Sequence, residues 1–192
     1  MYRMLGIGFS AGGFPLIKRI LQALPKNYPL PVVIVAHLPG GEVSHLAEML
    51  DAFTCLPVRM AADKESVERG RVYIAPPDYH LLIERNQRSA FSFALSVDEP
   101  VRSVRPSIDV LFESAAEVFE SDLIALLLSG ANSDGVEGMA YVKQLGGLGI
   151  VLDPSECEFS AMSDAAIRRV DVDYVASLDE IISLLLSVHE ES

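Results

Sequence analysis

Three residues of this chain could act together as a nucleophile, a base and an acid, and each follows a short apolar run: Ser10, His37 and Asp134. Ser10 lies in Gly8-Phe9-Ser10-Ala11-Gly12, a G-x-S-x-G pattern between the apolar stretch from Met4 and a helical pattern from Phe14. The order strand, tight turn, helix projects a serine oxygen from the C-terminal edge of a sheet, and small flanking residues let a substrate approach. The helix that follows aims free N–H groups and a positive dipole end at the same place, where an oxyanion would be stabilised. A serine hydroxyl is a poor nucleophile at neutral pH, so a base must take its proton. That base needs an acceptor on its far nitrogen. His37 ends the run Val32-Val33-Ile34-Val35-Ala36, and Asp134 sits in the small-residue loop Ser129 to Gly135 after Leu123 to Leu128.

Each residue also has a plainer reading. Gly6-x-Gly8-x-x-Ala11 fits the dinucleotide fingerprint, which calls for an acid at the end of the second strand. His37 stands there instead, and it suits a serine better than a ribose. Ser10 also reads as a bystander in a Gly-rich turn, and Asp134 as the N-cap of the helix that begins near Val136. Among the other histidines, His45 falls on the polar face of a helical pattern. His80 starts a hairpin strand as a structural or exposed residue. His189 lies late in the chain, where an α/β-hydrolase places its base. That fold, however, sets its nucleophile well into the sheet and orders its triad Ser, Asp, His. Three reactive side chains at three strand ends favour the catalytic reading.

The elements that must position them alternate strand and helix. Phe14, Ile17, Leu21 and Leu24 make one apolar stripe, with Pro15 in the first turn and Pro25 as a stop. Gly40-Gly41 closes the loop after His37, and a second helix turns Val43, Leu46, Ala47, Leu50 and Phe53 inward. Short strands follow near Pro57–Met60, Arg71–Ala75, Leu81–Glu84 and Phe91–Leu95. The short link Arg85 to Arg88 makes the last two an antiparallel hairpin. Helices near 107–119, 136–145 and 161–169 alternate with strands at 123–128, 148–152 and 174–176, and Ser177 with Glu180 opens a last helix as a capping box. The expected fold is α/β, a doubly wound, mostly parallel sheet with helices on both faces and one antiparallel hairpin. In such sheets, sites form outside the carboxyl ends of the strands.

Composition narrows the partners. The 192 residues suit one domain, 1–192, and 50% hydrophobic residues at a mean hydropathy of +0.30 suit a sheet covered on both faces. Fifteen Lys and Arg against 27 Asp and Glu give a net charge of −12, which disfavours nucleic-acid binding. No apolar run approaches the roughly 18 residues of a membrane span, and the N-terminus reaches glycines too soon for a signal peptide. A cytoplasmic location is expected. Cys55 and Cys157 have no metal or redox spacing and read as free thiols, so no cofactor or metal is expected.

Five ordered motifs carry a resemblance: Gly8-Phe9-Ser10-Ala11-Gly12-Gly13, Ala36-His37-Leu38-Pro39, Val72 to Leu81, Arg105 to Phe112, and Leu128 to Gly135. Together, from about Gly6 to Leu178, the chain resembles the catalytic domain of chemotaxis protein-glutamate methylesterases, the CheB family. The resemblance implies that Ser10, His37 and Asp134 hold the nucleophile, base and acid positions. It implies hydrolysis of glutamate γ-methyl esters on the cytoplasmic helices of chemoreceptors, often with glutamine deamidation. Where the family usually reads threonine-glycine-methionine-glycine, this chain has Ser129-Gly130-Ala131-Asn132. Ala131 takes the position whose backbone N–H helps to form the oxyanion hole, and Ala11 supplies the other. Asn132 in place of glycine is expected to change the loop conformation. The family's usual preceding receiver domain is not found in the 192 residues, so relief of autoinhibition in cis is not expected, which leaves room for a receiver-type regulator in trans. Arg102 and Arg105 stand next to the expected cleft as docking cations for acidic receptor helices, or as partners in internal salt bridges. A diverged esterase or amidase of the same fold and a non-catalytic receptor-binding module remain as alternatives.

Overall fold

The first strand is lopsided, and its asymmetry sets the layers. In a computed structural model that describes residues 1–37, 43–85 and 91–190, strand β1 (Met4–Phe9) sends Leu5, Ile7 and Phe9 into one core and Met4 into the other. The remaining positions on the Met4 face are Gly6 and Gly8. Strand β2 (Val32–Ala36) alternates likewise, with Val32, Ile34 and Ala36 on one side and Val33 and Val35 on the other. Both faces are apolar because both are covered, as in parallel sheets with crossover helices.

The remaining strands of the sheet are β3 (Val58–Met60), β4 (Val72–Ile74), β7 (Leu123–Leu127), β8 (Leu148–Leu152) and β9 (Tyr174–Ala176). They pair in the order β3-β4-β2-β1-β7-β8-β9, every pairing parallel. Strands β5 (His80–Arg85) and β6 (Phe91–Ser96) form the expected antiparallel hairpin outside that sheet. Helices α1 (Phe14–Ala23), α2 (Val43–Asp51) and α6 (Leu178–Glu190) bury Ile17, Leu46 and Ile181 on one face. Helices α3 (Ile108–Phe119), α4 (Val136–Gln144) and α5 (Ala161–Arg169), with the hairpin, cover the other through Leu111, Met139 and Met162. The fold is thus the doubly wound α/β architecture read from the sequence. Among the described residues no helix is long and apolar enough to cross a membrane.

Some local readings need correction. Phe53 does not turn inward; it is 37% exposed, just past the last residue of α2, and Lys18 Nζ lies 3.7 Å from its ring centroid. Of the two readings given for His80, structural or exposed, the structural one holds, since it is buried at 1% exposure. The Gly40-Gly41 loop end, the hairpin turn from Asn86 to Arg88 and the side chains of Val43 and His189 lie outside the described residues.

The glycines of β1 serve close packing rather than a dinucleotide. A Cβ on Gly8 would stand 2.5 Å from Ile108 Cγ2, and one on Gly135 would stand 2.7 Å from the same atom. Ile108 is fully buried and is the first residue of α3, so it seats that helix N-terminus directly against β1. Gly8→Ala is expected to cost about 1–3 kcal/mol by overpacking. In an Ile108→Ala background, where the obstructing carbons are gone, the same change should lose at least half its penalty. Urea unfolding of the four proteins checks this, and an unchanged penalty would place the strain elsewhere.

Candidate active site

Sheet order brings the three sequence-selected side chains to one edge. Chain order runs outward from β1 to β2 on one side and resumes at β7 on the other, so β1 has β2 and β7 as its two neighbours. Ser10, His37 and the loop holding Asp134 therefore follow three adjacent C-terminal strand ends. Backbone bonds lock the ends together. The Ser10 amide donates to Ser129 O at 2.9 Å, and the His37 amide donates to Phe9 O at 3.0 Å. The turn after Ser10 needs a left-handed residue at Gly12, with φ +76°, and a Cβ there would lie 2.7 Å from Glu158 Cβ.

Ser10 is buried at 9% exposure, and its Oγ donates to the His37 carbonyl oxygen at 3.4 Å. The expected side-chain bond between Ser10 and His37 is not formed. The carbonyl is the competing acceptor, brought close by the pairing of β1 with β2. The imidazole is fixed from its other end. His37 Nε2 lies 3.2 Å from Asp134 Oδ2 and 2.9 Å from Pro106 O. Both partners accept, so in neutral His37 the proton sits on Nε2. Nδ1 then carries the free lone pair, and it is buried with no hydrogen-bond partner.

Asp134 is fully buried, and it does not cap the helix it precedes. Gly135 is the N-cap of α4, with no side-chain cap bond. The Asp134 carboxylate faces the start of α3 instead. It accepts from Ser107 Oγ at 2.7 Å, the Ile108 amide at 2.6 Å and the Asp109 amide at 3.3 Å. Two free amides of a helix N-terminus and its positive dipole end thus meet a carboxylate. Burial alone would raise the Asp134 carboxyl. The bonds from His37, Ser107 and Ile108 outweigh it and hold the group below the usual carboxylate range.

Sequence reasoning missed three groups here. Ser107 read only as a helix start; it is fully buried and gives its hydroxyl to Asp134. His80 accepts the Ser107 amide at Nδ1, 3.2 Å away. Asp109 is a second buried acid beside Asp134, and burial pushes its carboxyl up despite the Gly138 amide and Arg102. A serine directly after Pro106 at a helix start is the available signal for Ser107; the other two have none in the local sequence.

The two arginines part company. Arg102 is held internally, 3.3 Å from Asp109 Oδ2 and 3.2 Å from Glu137 Oε1. Arg105 Nη1 donates to the carbonyls of Val97 and Asp98, each at 2.8 Å, and among the described residues it pairs with no carboxylate. Asn132 takes a backbone conformation open to any residue. It is not among the residues with positive φ, and its Oδ1 accepts the Asp134 amide at 3.1 Å. Among the described residues the Ala11 and Ala131 amides donate to no backbone acceptor, and no group of three or more His, Cys, Asp or Glu is arranged to hold a metal. A groove of about 570 Å³ runs along Tyr174, Val175 and α6 and includes none of these residues.

The lowered Asp134 carboxyl has a stability signature. Its ionised form contributes fully above the ordinary aspartate value of about 3.9. The contribution is lost as pH falls through the lower folded value. Asp134→Asn places an amide donor among buried donors and should cost about 2–4 kcal/mol near neutral pH. The gap from the parent protein should narrow as pH falls below about 3.9. Urea midpoints at several pH values measure it, and a gap independent of pH would contradict this role.

The CheB methylesterase family matches residues 5–185. A relative from Leptospira interrogans, provisionally named as a protein-glutamate methylesterase/protein-glutamine glutaminase, is 41% identical over 191 residues, covering 100% of this chain and 97% of the relative. A protein of that name from Thermotoga maritima is 38% identical over 90% of this chain, which spans 50% of its length. The crystal structure of the Thermotoga maritima CheB methylesterase catalytic domain superposes with a TM-score of 0.93 at 36% identity, covering 98% of this chain and 99% of that one. On likeness of this extent in both sequence and fold, the chain belongs to the CheB methylesterase family.

Proposed function

We propose that residues 1–192 form one catalytic unit that hydrolyses glutamate γ-methyl esters on the cytoplasmic helices of chemoreceptors, with Ser10, His37 and Asp134 as the reacting set. The observation that carries this reading is the state of His37: Nε2 is held by Asp134 and Pro106, and Nδ1 is buried with an unused lone pair. In the reaction the Ser10 hydroxyl leaves the His37 carbonyl and donates to Nδ1. Ser10 Oγ then attacks the ester carbonyl as its proton passes to Nδ1. The imidazolium is stabilised by Asp134 through Nε2–H. The Ala11 and Ala131 amides bind the oxyanion. Collapse expels methoxide, which leaves as methanol with the Nδ1 proton. Water then attacks the glutamyl-serine ester, again giving a proton to Nδ1. The second collapse frees the glutamic acid side chain, which gives its remaining proton to solvent, and returns the Nδ1 proton to Ser10. With a glutamine side chain the leaving group is ammonia, which is deamidation by the same route.

The substrate of this reading lies in the cytoplasm, and a receiver-type partner acting in trans is its regulator. Arg105 is the docking cation of this reading, because its charge has no carboxylate partner among the described residues. Arg102 is occupied by Asp109 and Glu137 and serves the site from within.

Methanol release from methylated receptor measures the activity. Ser10→Ala and His37→Ala should each lower kcat by about 10³ to 10⁶-fold, and the double variant should be little worse than either, since such residues act as a unit. Wild-type turnover no higher than that of Ser10→Ala, on receptor and on activated esters alike, would end the enzymatic reading in favour of a receptor-binding module. Turnover of activated esters without turnover of receptor would favour a diverged esterase.

Arg105→Ala should raise KM for methylated receptor several-fold more than KM for a small activated ester. Equal changes in the two would remove Arg105 from docking.

A further inference from the structure

We infer that His80 is a positioning residue of this site: through its Nδ1 lone pair it fixes Ser107, and through Ser107 the carboxylate that holds the base. The inference rests on the proposed roles of Ser10, His37 and Asp134. His80 is 1% exposed and opens β5, outside both α3 and the strand-end loops. Its ring has two partners of opposite kind. The Ser107 amide can only donate, and it lies 3.2 Å from Nδ1. The Glu99 carbonyl can only accept, and it lies 3.1 Å from Nε2. The ring is therefore neutral here, with its proton on Nε2. Inversion of the tautomer would break both bonds.

The amide that His80 accepts belongs to a helix N-cap, and N-cap amides need a partner. In a capping box a Glu or Gln at the third helical position reaches back to this amide. That position in α3 is Val110, which cannot accept. His80 fills the role from a distant part of the chain.

The segment it secures supplies the partners of the reacting pair. Pro106 O takes His37 Nε2, while the Ser107 hydroxyl and the Ile108 and Asp109 amides take Asp134. A shift of Ser107 moves all four together. Displacements of this kind reach the reacting atoms, and about 1 Å of misplacement can cost 10²-fold in rate.

Two substitutions separate this role from mere support. His80→Asn places an amide oxygen near the position of Nδ1 and can still accept the Ser107 amide. His80→Gln places an amide NH₂ near Nε2 and can still donate to Glu99 O, but it offers nothing to Ser107. On an activated ester, His80→Gln should lower kcat about tenfold to a hundredfold with KM within about twofold of the parent. His80→Asn should keep most of the kcat, even where the two melt at the same temperature. The downfield proton signal of His37 Nε2–H gives a readout independent of turnover. It should persist in His80→Asn and shift or vanish in His80→Gln. The opposite ranking, or losses in both that track melting temperature alone, would overturn the inference. If His80→Gln does not fold, Ser107→Ala keeps the amide on His80 and drops the hydroxyl on Asp134. It must then lower kcat and move the His37 signal, and parent values in both would overturn the inference. If wild-type protein shows no turnover, the reading of the reacting set fails, and the proton signal alone decides whether His80 positions His37.

Discussion

A fully buried carboxylate is the constraint on which the catalytic edge depends. Burying an isolated anion is costly, and it is tolerated only where donors replace the lost water. Asp134 obtains them from one short segment: the Ser107 hydroxyl and the first two amides of α3. Those amides are orphans of the helix start and need an acceptor as much as the carboxylate needs donors. The exchange ties the loop after β7 to the N-terminus of α3. It leaves one carboxylate oxygen within reach of His37 Nε2, at 3.2 Å. The His37 imidazole is thereby oriented by a group whose own position is set by helix geometry, not by a flexible surface chain.

That arrangement works only if α3 begins close to β1. The approach is made by Ile108, whose Cγ2 would lie 2.5 Å from a Cβ on Gly8 and 2.7 Å from one on Gly135. The glycines in β1 and in the turn after it therefore act in two ways. Gly12 permits the left-handed turn behind the serine, and Gly8 admits the helix that carries the donors for Asp134. A second buried acid, Asp109, stands on the same turn. Arg102 offsets it from outside at 3.3 Å. Two carboxyls in one buried corner are pushed apart in acidity, Asp134 down by its hydrogen bonds and Asp109 up by burial. The one held low is the one that faces His37.

What the sequence made legible follows from the range of the interactions concerned. Ser10, His37 and Asp134 could be placed together because each follows an apolar run, and parallel strands of one sheet end on one side. The hairpin was legible from a link too short for a crossover. The target of Asp134 was not, because the helix it caps begins 26 residues earlier and only the fold brings it near. His80 looked like an incidental strand residue for the same reason; its partners are a carbonyl and an amide 19 and 27 residues away. Asn132 looked disruptive because glycine permits shapes that asparagine resists. The loop adopts none of them there, and the side chain secures the Asp134 amide.

Charge adds a last argument about direction. The protein carries −12, and the proposed substrate lies on an acidic helix, so the two repel at long range. Screening limits that repulsion to about 8 Å at physiological salt. On the proposed reading, docking then depends on short-range contacts such as that of Arg105, which has no carboxylate partner among the described residues. The reaction itself changes the balance. A neutral ester enters and a carboxylate leaves, adding one negative charge to the bound helix beside the ionised Asp134. Net charge therefore opposes the product more than the substrate. An acidic enzyme acting on an acidic helix gains release of product from the same field that weakens its first encounter.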